Sequence, residues 1–307
     1  MIIEHDIQKK HGVAPFFANG ADYFLLLKPR VMSLVLFTAF IGLLLAPGLL
    51  GWWRSFFALL FIALGAGASG ALNMWYDADI DAIMKRTKSR PIPAGKITAF
   101  SVLCFGASLA ILSVIGLGFV TNWVAAGLLA FTIFFYIVIY TIFLKRYTPQ
   151  NIVIGGAAGA FPPLVGYACV SGNVAFEAIA LFLIIFLWTP PHFWALALFT
   201  TTDYEAAKIP MLPNIRGVQV TKNNILVYSV LMAISALLPF YFSGLSLFYL
   251  SVAICLNFWF LYYAYLLWRT VDTEKIKLRS RRLFYFSLLY LALLFCSLLV
   301  EIIVRSA

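Results

Sequence analysis

The chain has 307 residues, of which 63% are hydrophobic and only 11% are charged, and its mean hydropathy is +0.96. A soluble domain of this length needs far more charge to cover its surface, so the composition excludes a water-soluble globular protein. The formal net charge of +10 at pH 7 fits basic loops beside anionic lipid headgroups and requires no nucleic-acid partner.

Nine apolar blocks follow one another along the chain, each close to the roughly 20 residues that a bilayer-spanning helix needs. The alternating pattern of a membrane β-barrel is absent from the sequence, so the predicted fold class is an all-α polytopic membrane protein. We predict spans at 32–50, 56–76, 98–119, 122–143, 151–171, 176–199, 224–243, 246–268 and 283–304.

The basic residues fall almost entirely on one side of this topology. With the N-terminus in the cytoplasm, all of the 22 Lys and Arg residues except Arg54 and Arg305 lie in the N-terminal segment or in cytoplasmic loops. The positive-inside rule therefore supports nine spans and a cytoplasmic N-terminus. We predict a cytoplasmic segment at 1–27 and a single transmembrane domain at 28–307, with its polar chemistry at the cytoplasmic side.

The cysteines and the N-terminus indicate the compartment. The four cysteines lie singly in different spans and form no C-x-x-C pair, so neither a disulfide framework nor a thiolate metal site is expected. The N-terminus carries Glu4 and Asp6, which fits neither a signal peptide nor an Arg-rich transit peptide. The simplest location is a bacterial inner membrane.

The end of the second span carries an unusual acidic stretch, NMWYDADID, at 73–81. Asn73, Asp77 and Asp81 are four residues apart and share one helix face over roughly 12 Å, whereas Asp79 points elsewhere. Carboxylates at a helix C-terminus near hydrocarbon are unfavourable unless a cation binds them. Oxygen ligands without His or Cys suit Mg²⁺. We therefore predict a Mg²⁺ site here, with a solvated helix end as the alternative.

Basic residues lie on both sides of the acidic stretch. The loop MKRTKSRPIPAGK follows it directly and supplies Lys85, Arg86 and Arg90, which are candidates to bind a diphosphate bridged by Mg²⁺. Lys28 and Arg30, just before the first span, are further candidate phosphate contacts. For both groups the alternative is simple anchoring by positive charge at the membrane surface.

A second unusual segment, PPHFWALALFTTTDYEAAKIPMLP, covers 190–213. Pro190 and Pro191 are expected to interrupt the sixth span. If the helix resumes after them, Asp203 lies about three turns beyond His192 on the same face, and Glu205 faces away. His192 is a candidate iron ligand or base, or an interior hydrogen-bonded histidine. Asp203 is a candidate ligand of a second Mg²⁺.

Small residues open the fifth span, in GGAAGAFPPLVGY at 155–167. Such residues let neighbouring helices approach closely. The alternative interpretation is a smooth wall for a flat or elongated ligand, with a few of the many aromatic residues stabilising a carbocation.

The acidic stretch matches the N-x-x-x-D-x-x-x-D motif of the UbiA superfamily of intramembrane prenyltransferases. Between 28 and 213, KPRVMSLVLFTA, DAIMKRTKSRPIPAGKI, GAAGAFPPLVGY, WTPPHFWALAL and IPMLP resemble in order the protohaem IX farnesyltransferase, or haem O synthase, family within it. The resemblance implies a nine-helix bundle that transfers farnesyl from farnesyl diphosphate to a vinyl group of haem B and releases diphosphate.

Carried over by position, the resemblance assigns Mg²⁺–diphosphate binding and catalysis to Asn73, Asp77 and Asp81, and places Asp203 in a second acidic motif. That motif is usually D-x-x-x-D, but Ala207 stands at the last position here. His192 is the candidate haem contact. The implied partners are farnesyl diphosphate, haem B and the lipid bilayer, and hand-off of product within the membrane adds a haem A-forming enzyme as a candidate.

Two other functions remain open from the sequence. A prenyltransferase with a quinone or other aromatic acceptor would share the acidic motif, although PPHFW favours haem. A transporter or a haem-binding membrane protein would also contain intramembrane acids and broken helices. The acids here gather at one membrane face beside basic loops, whereas transporters place coupling acids near the midplane.

Overall fold

The computed structural model describes residues 19–306, without the side chains of Arg30, Asp203 and Ser306. Most of the predicted N-terminal segment therefore lies outside the described residues. Every regular element within 19–306 is helical. The elements are α1 (Gly20–Leu26), α2 (Pro29–Leu45), α3 (Trp52–Tyr76), α4 (Ala78–Ile83), α5 (Ala99–Val120), α6 (Trp123–Phe134), a π-helix (Phe135–Leu144), α7 (Asn151–Ser171), α8 (Phe176–Phe199), α9 (Thr201–Ala206), α10 (Leu212–Ser235), α11 (Leu238–Phe242), α12 (Leu247–Trp268) and α13 (Thr273–Ser306).

The spans agree with the sequence prediction. Within the described range, eight helices are long and apolar enough to cross a membrane, and the pair formed by Gly20–Leu26 and Val31–Leu45, bent by 57°, allows a ninth. The predicted span 176–199 coincides with α8. The all-α polytopic fold is confirmed, and the cytoplasmic N-terminus stays a prediction.

Two predictions about individual helices are wrong. Pro190 and Pro191 lie inside the continuous helix α8, which ends only at Phe199. Membrane helices tolerate proline because neighbouring helices and local adjustments satisfy the freed backbone groups. The seventh span begins earlier than 224, since α10 starts at Leu212 and contains a bend at Gly217, where φ is 80°.

Helices α7 and α8 form the centre of the bundle. The apolar windows of α7 and α8 are 78% and 61% buried, against 17% for the span at Trp123–Leu144. Helix α2 packs closely on α7: a Cβ added to Gly166 would lie 2.0 Å from the carbonyl oxygen of Ala39, and one added to Gly42 would lie 2.1 Å from that of Pro163. Close packing therefore explains part of the small-residue segment.

Candidate active site

The acidic stretch lies at a break between two helices. Helix α3 ends at Tyr76, and Asp77 adopts φ −90° and ψ 11° before α4 begins. The turn stays tight, because the Asp77 amide donates to the Asn73 carbonyl at 2.9 Å and the Asp81 amide to the Asp77 carbonyl at 2.8 Å. Asn73, Asp77 and Asp81 are thus brought together, and each is at most 4% exposed.

Asn73 connects this group to two other parts of the chain. Its Nδ2 donates to Asp77 Oδ2 at 2.7 Å and to Thr141 Oγ1 at 3.2 Å. Its Oδ1 accepts a hydrogen bond of 2.9 Å from Lys28 Nζ. The Asn73 amide therefore fixes the position of the Asp77 carboxylate on one side and of the Lys28 ammonium on the other.

Lys28 has an unusual backbone conformation. It stands between α1 and α2 with φ 51° and ψ 58°, the left-handed region. A residue with a Cβ is strained there, and such strain clusters at functional sites. This geometry lets the chain bend at the membrane surface while the ammonium reaches Asn73.

Three more cations surround the carboxylates. Lys145 Nζ contacts Asp77 Oδ2, and an Arg146 nitrogen lies 3.6 Å from Asp77 Oδ1. Arg90 donates to Asp81 Oδ2 at 2.6 Å. Each buried carboxylate therefore has a basic partner, as burial of charge requires.

Asp79 points away from the buried group and is largely exposed. Arg146 binds both of its carboxylate oxygens, at 2.9 and 2.8 Å. Partial burial alone would raise the pKa of Asp79, but the hydrogen bonds and charge of Arg146, together with backbone N–H donors, outweigh it and hold that pKa below its usual value. The same hydrogen bonds, against the opposing effect of burial, raise the pKa of Arg146.

The other residues predicted for the site are less well placed or not described. Lys85 and Arg86 are exposed. The side chains of Arg30 and Asp203 lie outside the described residues. The helix does not run unbroken from His192 to Asp203, because α8 ends at Phe199 and α9 begins at Thr201. The predicted alignment of those two residues on one regular helix is therefore wrong.

The donor set suits Mg²⁺. Asp77 Oδ1 is fully buried and accepts no hydrogen bond in the described structure. A buried oxygen without a hydrogen bond is costly, and the Arg146 nitrogen at 3.6 Å is too far away to donate one, so this oxygen keeps its lone pairs for a metal ion. No group of three His, Cys, Asp or Glu side chains converges among the described residues. Two carboxylates and an amide oxygen nevertheless fit the usual Mg²⁺ pattern of one or two carboxylates completed by substrate phosphate.

A π-helix at Phe135–Leu144 joins the acidic group to a cavity. Thr141 donates to the carbonyl of Tyr136 at 2.8 Å, five residues back, and accepts from Asn73. Tyr136 and Tyr140 line the cavity. A π-helix is rare and often occurs at functional sites. Here it directs Thr141 toward the acidic group and Tyr136 and Tyr140 toward the cavity.

The cavity has a volume of about 390 Å³ and lies between α2, the π-helix, α7, α8 and α13. Its wall is mostly apolar, and Gly155, Gly156 and Gly159 provide the smooth surface on α7. The small-residue segment therefore allows close helix packing and also forms part of a cavity wall, and a ligand against that wall stays a prediction. Thr38, Asn151, Thr189 and His192 add polar atoms to the wall.

His192 lies in the cavity wall among aromatic rings. Its imidazole stacks on Trp188 and Phe284, with ring centroids 4.3 and 4.6 Å away. Its Nδ1 lies 2.6 Å from Ser287 Oγ, and Trp188 Nε1 donates to the Ser287 carbonyl at 2.8 Å. The ring is therefore held on both faces and at one nitrogen.

Sequence reasoning missed several of these residues. Lys145 and Arg146 contact Asp77, although the sequence alone indicates only a basic loop at these positions. The signal was their position directly after a span that ends on the same side as the acidic stretch. Thr141, in an otherwise apolar run, was a weaker signal.

Comparison with known proteins gives the family. Residues 35–299 match the UbiA prenyltransferase family. The protoheme IX farnesyltransferase of Brucella canis is 55% identical over 300 residues, which cover 98% of this chain and 95% of that protein. The protein of that name from Sinorhizobium fredii is 58% identical over 302 residues, again 98% and 95%.

Solved structures share the fold at low identity. A digeranylgeranylglyceryl phosphate synthase has a TM-score of 0.77 at 20% identity and covers 92% of this chain and 98% of its own. A UbiA homolog from Archaeoglobus fulgidus bound to GPP and Mg²⁺ has a TM-score of 0.63 at 16% identity, covering 90% and 99%. With the family match extending over most of the sequence, the chain belongs to the UbiA prenyltransferase family.

Proposed function

We propose that this membrane enzyme transfers the farnesyl group of farnesyl diphosphate to a vinyl group of haem B, giving haem O and diphosphate. The observation that carries the proposal is the identity of 55–58% to proteins named protoheme IX farnesyltransferase, across 98% of the chain. The site geometry supports it, because a charged group for diphosphate adjoins an apolar cavity for an isoprenoid.

Asn73, Asp77 and Asp81 are the residues we assign to Mg²⁺, and Asp203 is a further candidate from the second motif. Bound Mg²⁺ supplies positive charge to the diphosphate leaving group. Lys28, Arg90, Lys145 and Arg146 already surround the acidic residues. These side chains are positioned to bind diphosphate oxygens and to stabilise the charge that develops as the allylic C–O bond breaks.

Arg30, Lys85 and Arg86 are weaker candidates for diphosphate contact. Lys85 and Arg86 are exposed, so they suit attraction of the anionic substrate to the membrane surface more than tight binding.

The cavity wall suits the prenyl chain and its cation. Apolar side chains exclude water, which would otherwise capture an allylic cation. The rings of Tyr136, Tyr140 and Trp188 line the space, and aromatic faces stabilise positive charge. C1 of farnesyl forms a bond to the outer vinyl carbon of haem, and water then adds to the other vinyl carbon and loses a proton, which completes the hydroxyethyl group.

His192 is the residue we assign to the haem side of the cavity.

We also propose that residues 28–307 form one domain, that the site faces the cytoplasm of a bacterial inner membrane, and that a haem A-forming enzyme receives the product. The positive-inside distribution of Lys and Arg supports the orientation.

The test uses purified protein in detergent with haem B, farnesyl diphosphate and Mg²⁺, and product detection by mass spectrometry. We expect a farnesylated, hydrated haem that is lost with a chelator and in Asp77→Ala. The matched control is Glu274→Ala, because Glu274 is an exposed carboxylate on α13 whose ion pair is with Lys277; it should keep most activity. Folded protein that gives no farnesylated haem would contradict the proposal.

A further inference from the structure

The hydrogen-bond geometry at Ser287 fixes which imidazole nitrogen of His192 carries the proton. Ser287 Oγ lies 2.6 Å from the carbonyl oxygen of Phe284 and 2.6 Å from His192 Nδ1. A carbonyl oxygen cannot donate, so the single hydroxyl proton of Ser287 goes to Phe284. The other short contact is favourable only if His192 Nδ1 is the donor.

The neutral ring with its proton on Nδ1 leaves a lone pair on Nε2. No described residue hydrogen-bonds Nε2, and His192 lines the cavity. Trp188 and Phe284 stack on the ring, and two rings at such distances must lie on opposite faces. The imidazole is therefore fixed in orientation as well as in tautomer, as metal-ligating histidines commonly are.

We propose that His192 Nε2 is an axial ligand of the haem iron in the acceptor complex, and that Ser287 is the positioning residue that sets its tautomer. This inference rests on the proposed function, since it takes haem as the acceptor. Ligation at the iron would hold the porphyrin in one place in the cavity. The vinyl group would then meet the prenyl cation, which would form in the same cavity beside Tyr136 and Tyr140.

Ser287 also acts on the strength of the ligand. A hydrogen bond from Nδ1–H to an acceptor makes Nε2 more electron-rich and strengthens its bond to the metal. Removal of such a partner costs roughly 10–100-fold in metal affinity in known sites. Ser287→Ala should therefore weaken haem binding by about that factor. Ser287→Thr retains the hydroxyl, so its haem affinity should stay close to that of the native protein.

The test is resonance Raman spectroscopy of the full-length protein in detergent with ferrous haem B and no farnesyl diphosphate. We expect an iron–histidine stretching band in the native protein. The band should be lost in His192→Gly and return when imidazole is added, which also shows that this variant is folded. In Ser287→Ala the band should move to lower frequency, and in Ser287→Thr it should stay near the native value.

Ser297→Ala is the matched control, because Ser297 lies on the same helix, is buried and bonds only the carbonyl three residues back. Its band should not move. Absence of the band in native protein, or an unchanged band in Ser287→Ala, would overturn the inference. Prenyl transfer to haem is measured in the same preparations. If haem is farnesylated but shows no histidine ligation, the proposed function stands and only the ligation inference fails.

Discussion

Lys145 and Asp77 are 68 residues apart in the chain, yet the ammonium of one contacts the fully buried carboxylate of the other. The contact holds the end of the π-helix against the break between α3 and α4. A buried carboxylate without a partner is strongly destabilising. Lys145 therefore neutralises a carboxylate that we also assign to Mg²⁺ binding.

Removal of the ammonium should destabilise the metal-free protein. Lys145→Met leaves Asp77 with the hydrogen bond from the neutral Asn73 amide and the more distant Arg146 guanidinium, at 3.6 Å, so we expect a loss of stability on the order of 3 kcal/mol. Added Mg²⁺ should restore part of it, because a cation replaces the ammonium. Thermal unfolding in detergent, with chelator and with Mg²⁺, measures both effects. Lys88→Met, at an exposed position, is the control, and equal midpoints for the two variants would argue against the neutralising role.

Arg90 and Lys85 should differ in their effect on the diphosphate substrate. Arg90 donates to buried Asp81 at 2.6 Å, whereas Lys85 is exposed. We assign Arg90 to a diphosphate oxygen as well. A hydrogen bond to such a charged group contributes roughly 1.5–3 kcal/mol, so Arg90→Gln should raise the KM for farnesyl diphosphate about 10-fold or more. Lys85→Gln should change it less than about 2-fold, as expected for a screened surface charge. Steady-state kinetics measure the KM of each variant. Similar KM values for Arg90→Gln and Lys85→Gln would contradict a special role for Arg90.

A bulky residue at Gly159 should block the cavity. Gly159 lines it, and a Cβ there meets open space, so Gly159→Phe directs a ring into the cavity without a backbone clash. We expect loss of most farnesyl transfer, with geranyl diphosphate less affected because its chain is shorter. Gly127→Phe is the control, since Gly127 is exposed and also has open space around it. Product yields with the two diphosphates measure the effect, and unimpaired farnesyl transfer in Gly159→Phe would show that the prenyl chain lies elsewhere.

The Asp79–Arg146 pair should make a small, pH-dependent contribution to stability. The pKa of Asp79 is lower in the folded protein than its usual value of 3.8, so the stabilisation is present above about pH 4 and is lost as the pH falls through the folded pKa. Exposed pairs contribute at most about 1 kcal/mol. Unfolding of native protein and Asp79→Asn should differ slightly at pH 7 and converge below pH 4. A difference that grows toward low pH would have the wrong sign.

Much of the fold could be predicted from the sequence because a bilayer imposes helix length and apolar composition directly. The span predicted at 151–171 coincides with α7. The π-helix could not be predicted, since Phe135–Leu144 has the same apolar composition as an ordinary helix. The continuity of α8 through Pro190 and Pro191 depends on packing against neighbouring helices, which local proline chemistry does not include.

The site was predictable only in part, for a related reason. The spacing of Asn73, Asp77 and Asp81 indicates a shared face, and the structure brings them together. The cations that neutralise them come from distant segments, and only folding places Lys28 and Lys145 beside them. The contact between Ser287 and His192 joins two helices 95 residues apart, and nothing in either local sequence indicates it.

Choice of acceptor tests the central claim most directly. Native protein would be incubated with farnesyl diphosphate, Mg²⁺ and a mixture of haem B and a phenolic acid such as a quinone precursor, and all prenylated products would be measured by mass spectrometry. The account predicts farnesylated, hydrated haem as the dominant product. Prenylated phenolic acid with unmodified haem would contradict the acceptor while leaving the diphosphate site in place.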